Sequence, residues 1–165
     1  MHVALIVTGA PLAKRAGDLI SALDAAGHHV TVCPSEAARD WTHIEDSRLP
    51  TGRTRPDAVV IAPATFNTLN KWAAGINDTP LLGVLNDALG LGTPILAVPM
   101  VADRLAAHPA WPRTLHLLTA ADVQLLDPTT GARSPNPATI ASGTGDDIAA
   151  RFQPKWLLDR LPTTK

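Results

Sequence analysis

The sequence has one cysteine, two phenylalanines and no tyrosine among its 165 residues. Because a disulfide needs two cysteines, Cys33 cannot form one within the chain. Hydrophobic residues nevertheless make up 45% of the chain, which is enough for one sizeable core. Length and composition together predict a single domain over residues 1–165.

Long apolar runs and blocks of like charge are also missing. No run approaches the roughly 20 apolar residues that a membrane-spanning helix needs, so we expect no membrane span. The first residues show no basic segment followed by a long apolar stretch, so we expect no signal peptide. A net charge of -1 without a charged block gives no indication of binding to nucleic acid or to an anionic membrane surface. These absences predict a cytoplasmic protein.

What the sequence does contain is a regular alternation of strand-like and helix-like segments. Continuous apolar runs of four to six residues are typical of strands buried on both faces, and helical spacing separates them. The alternation predicts an α/β, Rossmann-like three-layer fold with a parallel sheet. The predicted strands are 3–7, 29–33, 58–62, 95–98 and 123–126; the predicted helices are 12–26, 35–41, 67–74, 81–91, 105–120 (one or two pieces, split near 109 and 112) and 146–161 (interrupted at 154); 42–56 and 127–145 are predicted loops.

In such a sheet, ligands bind outside the carboxyl ends of the strands. The first strand ends at Gly9, which permits a sharp turn and brings a helix start, with its N–H groups, to a possible anion. No complete G-x-G-x-x-G is present, so a plain tight turn is the alternative. The second strand ends near Ser35, for which a simple helix N-cap is the alternative to a ligand contact.

The third strand ends in the segment PATFNT, residues 63–68. Thr65, Asn67 and Thr68 could each be an ordinary cap residue. Three hydroxyl or amide side chains at one strand end nevertheless exceed what one helix cap needs. This surplus indicates a ligand at the third strand end.

The longer segment PATFNTLNKWAAGINDTPLL resembles the signature P-A-S-A-N-T-x-x-K-x-A-x-G-x-x-D-x-L-L of the homo-oligomeric flavin-containing cysteine decarboxylase family. That family includes phosphopantothenoylcysteine decarboxylase and the lantibiotic peptidyl-cysteine decarboxylases. Thr65 stands where the family has Ser, and Phe66 where it has Ala. The N-terminal VTGAPLAK and AGHHVTVCPS resemble further family segments, so the resemblance covers roughly residues 1 to 111. The shared signature positions are Pro63, Ala64, Asn67, Thr68, Lys71, Ala73, Gly75, Asp78, Leu81 and Leu82.

The resemblance implies that the chain binds FMN and forms a homotrimer, or a multiple of trimers, with flavin at the subunit interface. A flavin ring needs a polar edge and an apolar face, which the proposed residues can supply. The implied phosphate contacts are Gly9, Ala10, Pro11, Leu12 and Ser35. The implied contacts to the ring and ribityl chain are Thr65, Phe66, Asn67 and Thr68, with Phe66, Met100 and Val101 available for the apolar face.

The resemblance also implies oxidative decarboxylation of a small molecule or peptide that carries a cysteine thiol and a carboxylate, with an enethiol as product. His43 is the candidate acid/base, with a solvated loop histidine as the alternative. The family's substrate motif P-x-M-N-x-x-M-W departs here, because Ala102 replaces the Asn and cannot bind a carboxylate. Arg104 or Arg48 could do so as bidentate donors, although a solvated surface arginine is the alternative.

Loop 127–145 contains no cysteine, so the thiol-regenerating step of the pantothenate pathway is not expected. The loop is interpreted either as a mobile substrate cover or as disordered. The alternative function is an FMN-binding protein without decarboxylase activity, acting as a regulatory or partner subunit or as another flavin oxidoreductase. A nucleotide-binding Rossmann domain is disfavoured, because no acidic residue ends the second strand to hold a ribose.

Overall fold

A five-stranded parallel sheet forms the centre of the computed structural model, which describes residues 1–44 and 55–163. Its strands are β1 (His2–Val7), β2 (His29–Pro34), β3 (Ala58–Ala64), β4 (Ile95–Pro99) and β5 (Gln124–Leu125). They lie in the order β2-β1-β3-β4-β5, and every pairing is parallel. The predicted α/β, Rossmann-like parallel-sheet fold is therefore confirmed.

Short helices connect the strands and cover both sheet faces. They are α1 (Ala16–Ala25), α2 (Phe66–Ala73), α3 (Pro80–Gly90), α4 (Asp103–Ala106), α5 (Ala110–Ala120), α6 (Gly145–Arg151) and α7 (Lys155–Leu158), with 3-10 helices at Pro11–Arg15 and Glu36–Asp40. None of the helices within the described residues is long and apolar enough to cross a membrane.

Some helix boundaries differ from the sequence expectation. The predicted helix 12–26 begins as a 3-10 helix and becomes α-helical only at Ala16. The predicted split of 105–120 occurs ahead of Ala110, whereas Pro112 lies in the first turn of α5, where a missing N–H costs nothing. The C-terminal helix is interrupted at Pro154, as predicted. Most of the predicted loop 42–56 lies outside the described residues.

Both faces of the sheet are buried, which explains the continuous apolar runs of the sequence. Side chains of β1 alternate between two clusters, since Leu5 faces one side and Ile6 the other. The first cluster joins β1 to α1 and to the C-terminal segment through Leu19 and Phe152. The second joins β1 to α2, α3 and α5, with Trp72 of α2 among its largest buried side chains.

The C-terminal segment packs on the turn that follows β1. A Cβ atom on Gly145 would lie 2.8 Å from Cγ of Pro11, so the first turn of α6 touches the 3-10 helix directly. Arg15 is the last residue of the same 3-10 helix. Its Nη1 donates to the carbonyls of Ala149 and Phe152 at 3.1 and 2.7 Å. The guanidinium thereby adds a donor for carbonyls at and after the end of α6.

The segment between β5 and α6 is a hydrogen-bonded loop. Burial raises the pKa of Asp127, but hydrogen bonds from Thr129, Ala138 and Thr130 to its carboxylate outweigh burial and lower the pKa overall. Farther along, Ile140 pairs with the chain beyond β4 at Ala102. The structure therefore describes 127–144 as fixed at both ends rather than as a disordered loop.

A threonine joins β1 to β3 at the point where the chain reverses its direction across the sheet. In the order β2-β1-β3, this topological switch lies between β1 and β3. Thr8 is buried there, and its hydroxyl donates to the Pro63 carbonyl at 2.8 Å. The same oxygen accepts the Thr65 N–H at 3.0 Å. One hydroxyl therefore holds the two strand ends together.

Thr8→Val is expected to destabilise the protein by about 1–3 kcal/mol, because it leaves the half-buried Thr65 N–H without its acceptor. Thr8→Ser keeps the oxygen and should recover most of the loss. Urea unfolding followed by tryptophan fluorescence measures both. A valine variant as stable as the serine variant would contradict the role of the bridge.

Candidate functional site

A cavity of about 1170 Å³ opens at the carboxyl ends of β1, β2 and β3. This is the edge at which parallel α/β sheets bind ligands, next to the switch point. Pockets for small ligands commonly measure about 300–1,000 Å³, so the cavity has room for a cofactor and for a second molecule beside it. Its lining residues are Gly9, Cys33, Pro34, Ser35, Glu36, Ala37, Arg39, Asp40, Thr65, Asn67, Thr68, Lys71, Thr79, Pro80, Leu81 and Leu82.

One wall forms where the turn after β1 meets the 3-10 helix Glu36–Asp40. A Cβ atom on Gly9 would lie 2.8 Å from the Ala37 carbonyl oxygen and 2.9 Å from Ala37 Cβ, so only glycine allows this approach. Ser35 precedes the helix, and its Oγ accepts the Ala38 N–H at 3.1 Å. The predicted N-cap is confirmed, and Ser35 also lines the cavity. At Gly9 and Ser35 this wall therefore presents backbone and a hydroxyl to the cavity.

The first turn of α2 forms the neighbouring wall. Thr65 is the N-cap residue, and its hydroxyl donates to Thr68 Oγ1 at 3.1 Å while accepting the Thr68 N–H at 3.5 Å. These two threonines therefore satisfy each other and the helix start. Asn67 is exposed on the same wall, and its side chain makes no hydrogen bond within the described residues. Its amide is left for a ligand.

The structure brings five of the proposed cofactor contacts to the cavity and leaves the other five off its described lining. The five that line it are Gly9, Ser35, Thr65, Asn67 and Thr68; the other five are Ala10, Pro11, Leu12, Phe66 and Met100.

The residues off the lining have partners in the body of the protein. Leu12 is buried, and its N–H points to Sδ of the buried Met100 at 3.4 Å. The Phe66 ring packs near the rings of Trp111 and His108, with centroids 5.9 and 6.1 Å away. Pro11 contacts Gly145, as described above.

The candidate residues for chemistry lie apart from the cavity as well. His43 is exposed, comes after the 3-10 helix Glu36–Asp40 and does not belong to the described lining. Arg104 is exposed on α4 and likewise lies off the lining. Arg48 falls outside the described residues.

Sequence reasoning missed the charged residues of the cavity. The sequence identifies Lys71 only as a signature position. In the structure its Nζ lies 2.6 Å from Oδ2 of Asp78, which is another signature position. Arg39 lies in the short helix after Ser35, where no sequence signal distinguished it from a solvated arginine. Glu36 and Asp40 flank it on the same helix, so this wall carries charges of both signs.

Two curated relatives match less than half of the chain. The coenzyme A biosynthesis bifunctional protein CoaBC of Thermococcus kodakarensis is 34% identical over 74 residues, which are 45% of this chain and 18% of that protein. A cysteine/cysteine sulfinic acid decarboxylase of an unknown prokaryotic organism is 36% identical over 75 residues, or 46% of this chain and 20% of the relative. The chain thus spans about a fifth of the length of each relative.

The FMN-binding protein AtHal3 is a solved structure with the same fold. The two superpose with a TM-score of 0.71 over 99% of this chain and 98% of AtHal3, at 19% identity. The similarity therefore extends through the turn after β1 and the C-terminal segment.

The Flavoprotein family model matches residues 39–154, a range that includes α2 and its signature, β4 and the loop after β5. Together with the parallel sheet and the cavity at its carboxyl edge, this match shows that the chain belongs to the Flavoprotein family.

Proposed function

We propose that the chain binds FMN in the cavity at the carboxyl edge of the sheet. The observation that carries the proposal is the unpartnered Asn67 amide, held beside a glycine-lined turn at the switch point between β1 and β3. Doubly wound sheets of the order 2-1-3-4-5 hold FMN at this switch point in other proteins. AtHal3, which has the same fold, is an FMN-binding protein.

The residues present fit the cofactor. Gly9 lines the cavity without a side chain, so the turn after β1 presents backbone to a phosphate at this edge. The Ser35 hydroxyl lies on the same side of the cavity and can donate a hydrogen bond to a phosphate oxygen. Asn67 carries both a donor and an acceptor for the polar edge of a flavin ring.

We further propose oxidative decarboxylation of a substrate with a cysteine thiol and a carboxylate. Bound FMN supplies a two-electron acceptor. The substrate CH2–SH group loses two electrons and two protons, the carboxylate then leaves as carbon dioxide, and an enethiol remains. Both curated relatives support this class, since one belongs to coenzyme A biosynthesis and the other decarboxylates cysteine.

The chain's own residues would bind and position this substrate. The cavity walls would hold the thiol end close to Asn67, and His43 is the proposed acid/base although it lies outside the described lining. The loop 127–144 contains no cysteine, so the enethiol is released without reduction.

The alternative is an FMN-binding protein without decarboxylase activity. It is favoured by Ala102, which stands where the family has a carboxylate-binding Asn. The backbone around Ala102 pairs with Ile140. A protein that decarboxylates nothing needs no donor at this position.

The proposed assembly is a homotrimer with flavin at the interface. Two exposed leucines support a protein–protein contact, since Leu105 of α4 and Leu117 of α5 are each 41% exposed on neighbouring helices. Burial of such side chains favours association.

The purified protein is expected to be yellow and to release FMN rather than FAD on acid denaturation. The turn after β1, where Gly9 lines the cavity, is short and suits one phosphate. Absorbance at visible wavelengths and chromatography of the released flavin measure this. A colourless protein that also fails to bind added FMN in a fluorescence titration would refute the cofactor.

Asn67→Ala is expected to lower flavin content while leaving the thermal midpoint near that of the wild type. Its amide has no partner among the described residues, so folding loses little when it is removed. Asn136→Ala, an exposed loop asparagine away from the cavity, is the matched control. Normal flavin content with a lowered midpoint would make Asn67 purely structural.

Anaerobic incubation with cysteine-terminated peptides and with phosphopantothenoylcysteine is expected to bleach the flavin. The product should be lighter by carbon dioxide and two hydrogens. His43→Asn should slow turnover about 10²-fold, the usual effect of losing a general acid/base. His116→Asn, an exposed histidine of α5, is the control.

Two results would decide against the reaction or the residue. Flavin that every thiol leaves oxidised, but that dithionite reduces, would favour the alternative without decarboxylase activity. Equal turnover by the His43 and His116 variants would remove His43 from the mechanism.

A further inference from the structure

We propose that Arg39 binds the substrate carboxylate, and that it takes over the task that an Asn at position 102 would have. The inference rests on the proposed function, because it assigns a residue to the substrate of that same cavity. Ala102 leaves the substrate carboxylate without its donor, and Arg39 is the one cation of the described cavity lining that lacks a partner.

The side chain at position 102 cannot supply the donor, because Ala102 has only a methyl group. The Asp103 N–H that follows it already donates to the Ile140 carbonyl at 3.1 Å. The described lining of the cavity includes neither residue.

Two cations line the cavity in the part of the chain that the structure describes, and only one of them is available. Lys71 Nζ already lies 2.6 Å from Asp78 Oδ2, so a ligand would have to compete with that carboxylate. Arg39 makes no ion pair or side-chain hydrogen bond within residues 1–44 and 55–163. Its charge is therefore free for a ligand.

The backbone that carries Arg39 is held firmly. Its 3-10 helix is capped by Ser35 and contacts Gly9 through Ala37. Ala38, the preceding residue, is fully buried in the core. The base of the side chain is thus fixed while its end is exposed to the cavity, and a guanidinium can hold a carboxylate by two parallel hydrogen bonds.

The charges around Arg39 restrict the ligand further. Glu36 and Asp40 line the same wall, so cationic and anionic side chains lie close together there. A carboxylate beside a neutral amide or an ammonium group matches this mixture of signs. The end of a peptide and a free amino acid both have this combination.

The test uses the flavin-loaded protein and two tripeptides that end in serine, one with a free carboxylate and one with a terminal amide. Serine replaces cysteine so that no oxidation occurs during calorimetric titration. The wild type should bind the acid about 10- to 100-fold more tightly than the amide. Arg39→Gln should abolish this preference, and Arg39→Lys should keep part of it.

Arg113→Gln, an exposed arginine of α5, should retain the wild-type preference. The proposal is overturned if Arg39→Gln keeps the preference, or if the wild type binds neither peptide or binds both equally. It is also overturned if Arg39→Gln loses its flavin, since Arg39 would then serve the phosphate. Failure of FMN binding itself would appear earlier, as wild-type protein without flavin, and is therefore distinguishable.

Discussion

The site depends on the hydroxyl of Thr8, which holds the ends of β1 and β3 together at the switch point. It donates to the Pro63 carbonyl and accepts the Thr65 N–H. The residue that follows β1 is thereby bonded both to β3 and to the N-cap of α2. Gly9 directly follows Thr8, and Asn67 lies two residues after Thr65. The two walls of the cavity are thereby set by one buried side chain rather than by loops alone.

Burial on both faces is what made the fold predictable. It forces each strand to be a continuous apolar run, and the first four runs lie within a residue or two of the observed strands. The edge that binds a ligand followed from topology. The side chains facing the cavity did not, because Leu12 lies in a 3-10 helix where periodicity predicts an α-helix, and it turns into the core beside the buried Met100. Whether the Arg39 guanidinium has a partner depends on tertiary neighbours, which the sequence does not reveal.

The signature in α2 combines support and ligand binding. Thr65 and Thr68 close the helix start between themselves, and Lys71 pairs with Asp78 beyond the helix. Much of the motif thus stabilises the wall, and Asn67 is the member left without a partner among the described residues. The surplus of polar groups read from PATFNT therefore reduces to one amide.

The contact between Arg15 and the carbonyls after Ala149 has a consequence for the order of assembly. The two partners are 134 residues apart in sequence. The turn after β1 is synthesised well before the segment that packs on it. Contacts of such separation form late, because their loop must close before they stabilise anything. The 3-10 helix Pro11–Arg15 therefore gains its packing against α6 only after the intervening strands of the sheet have been made.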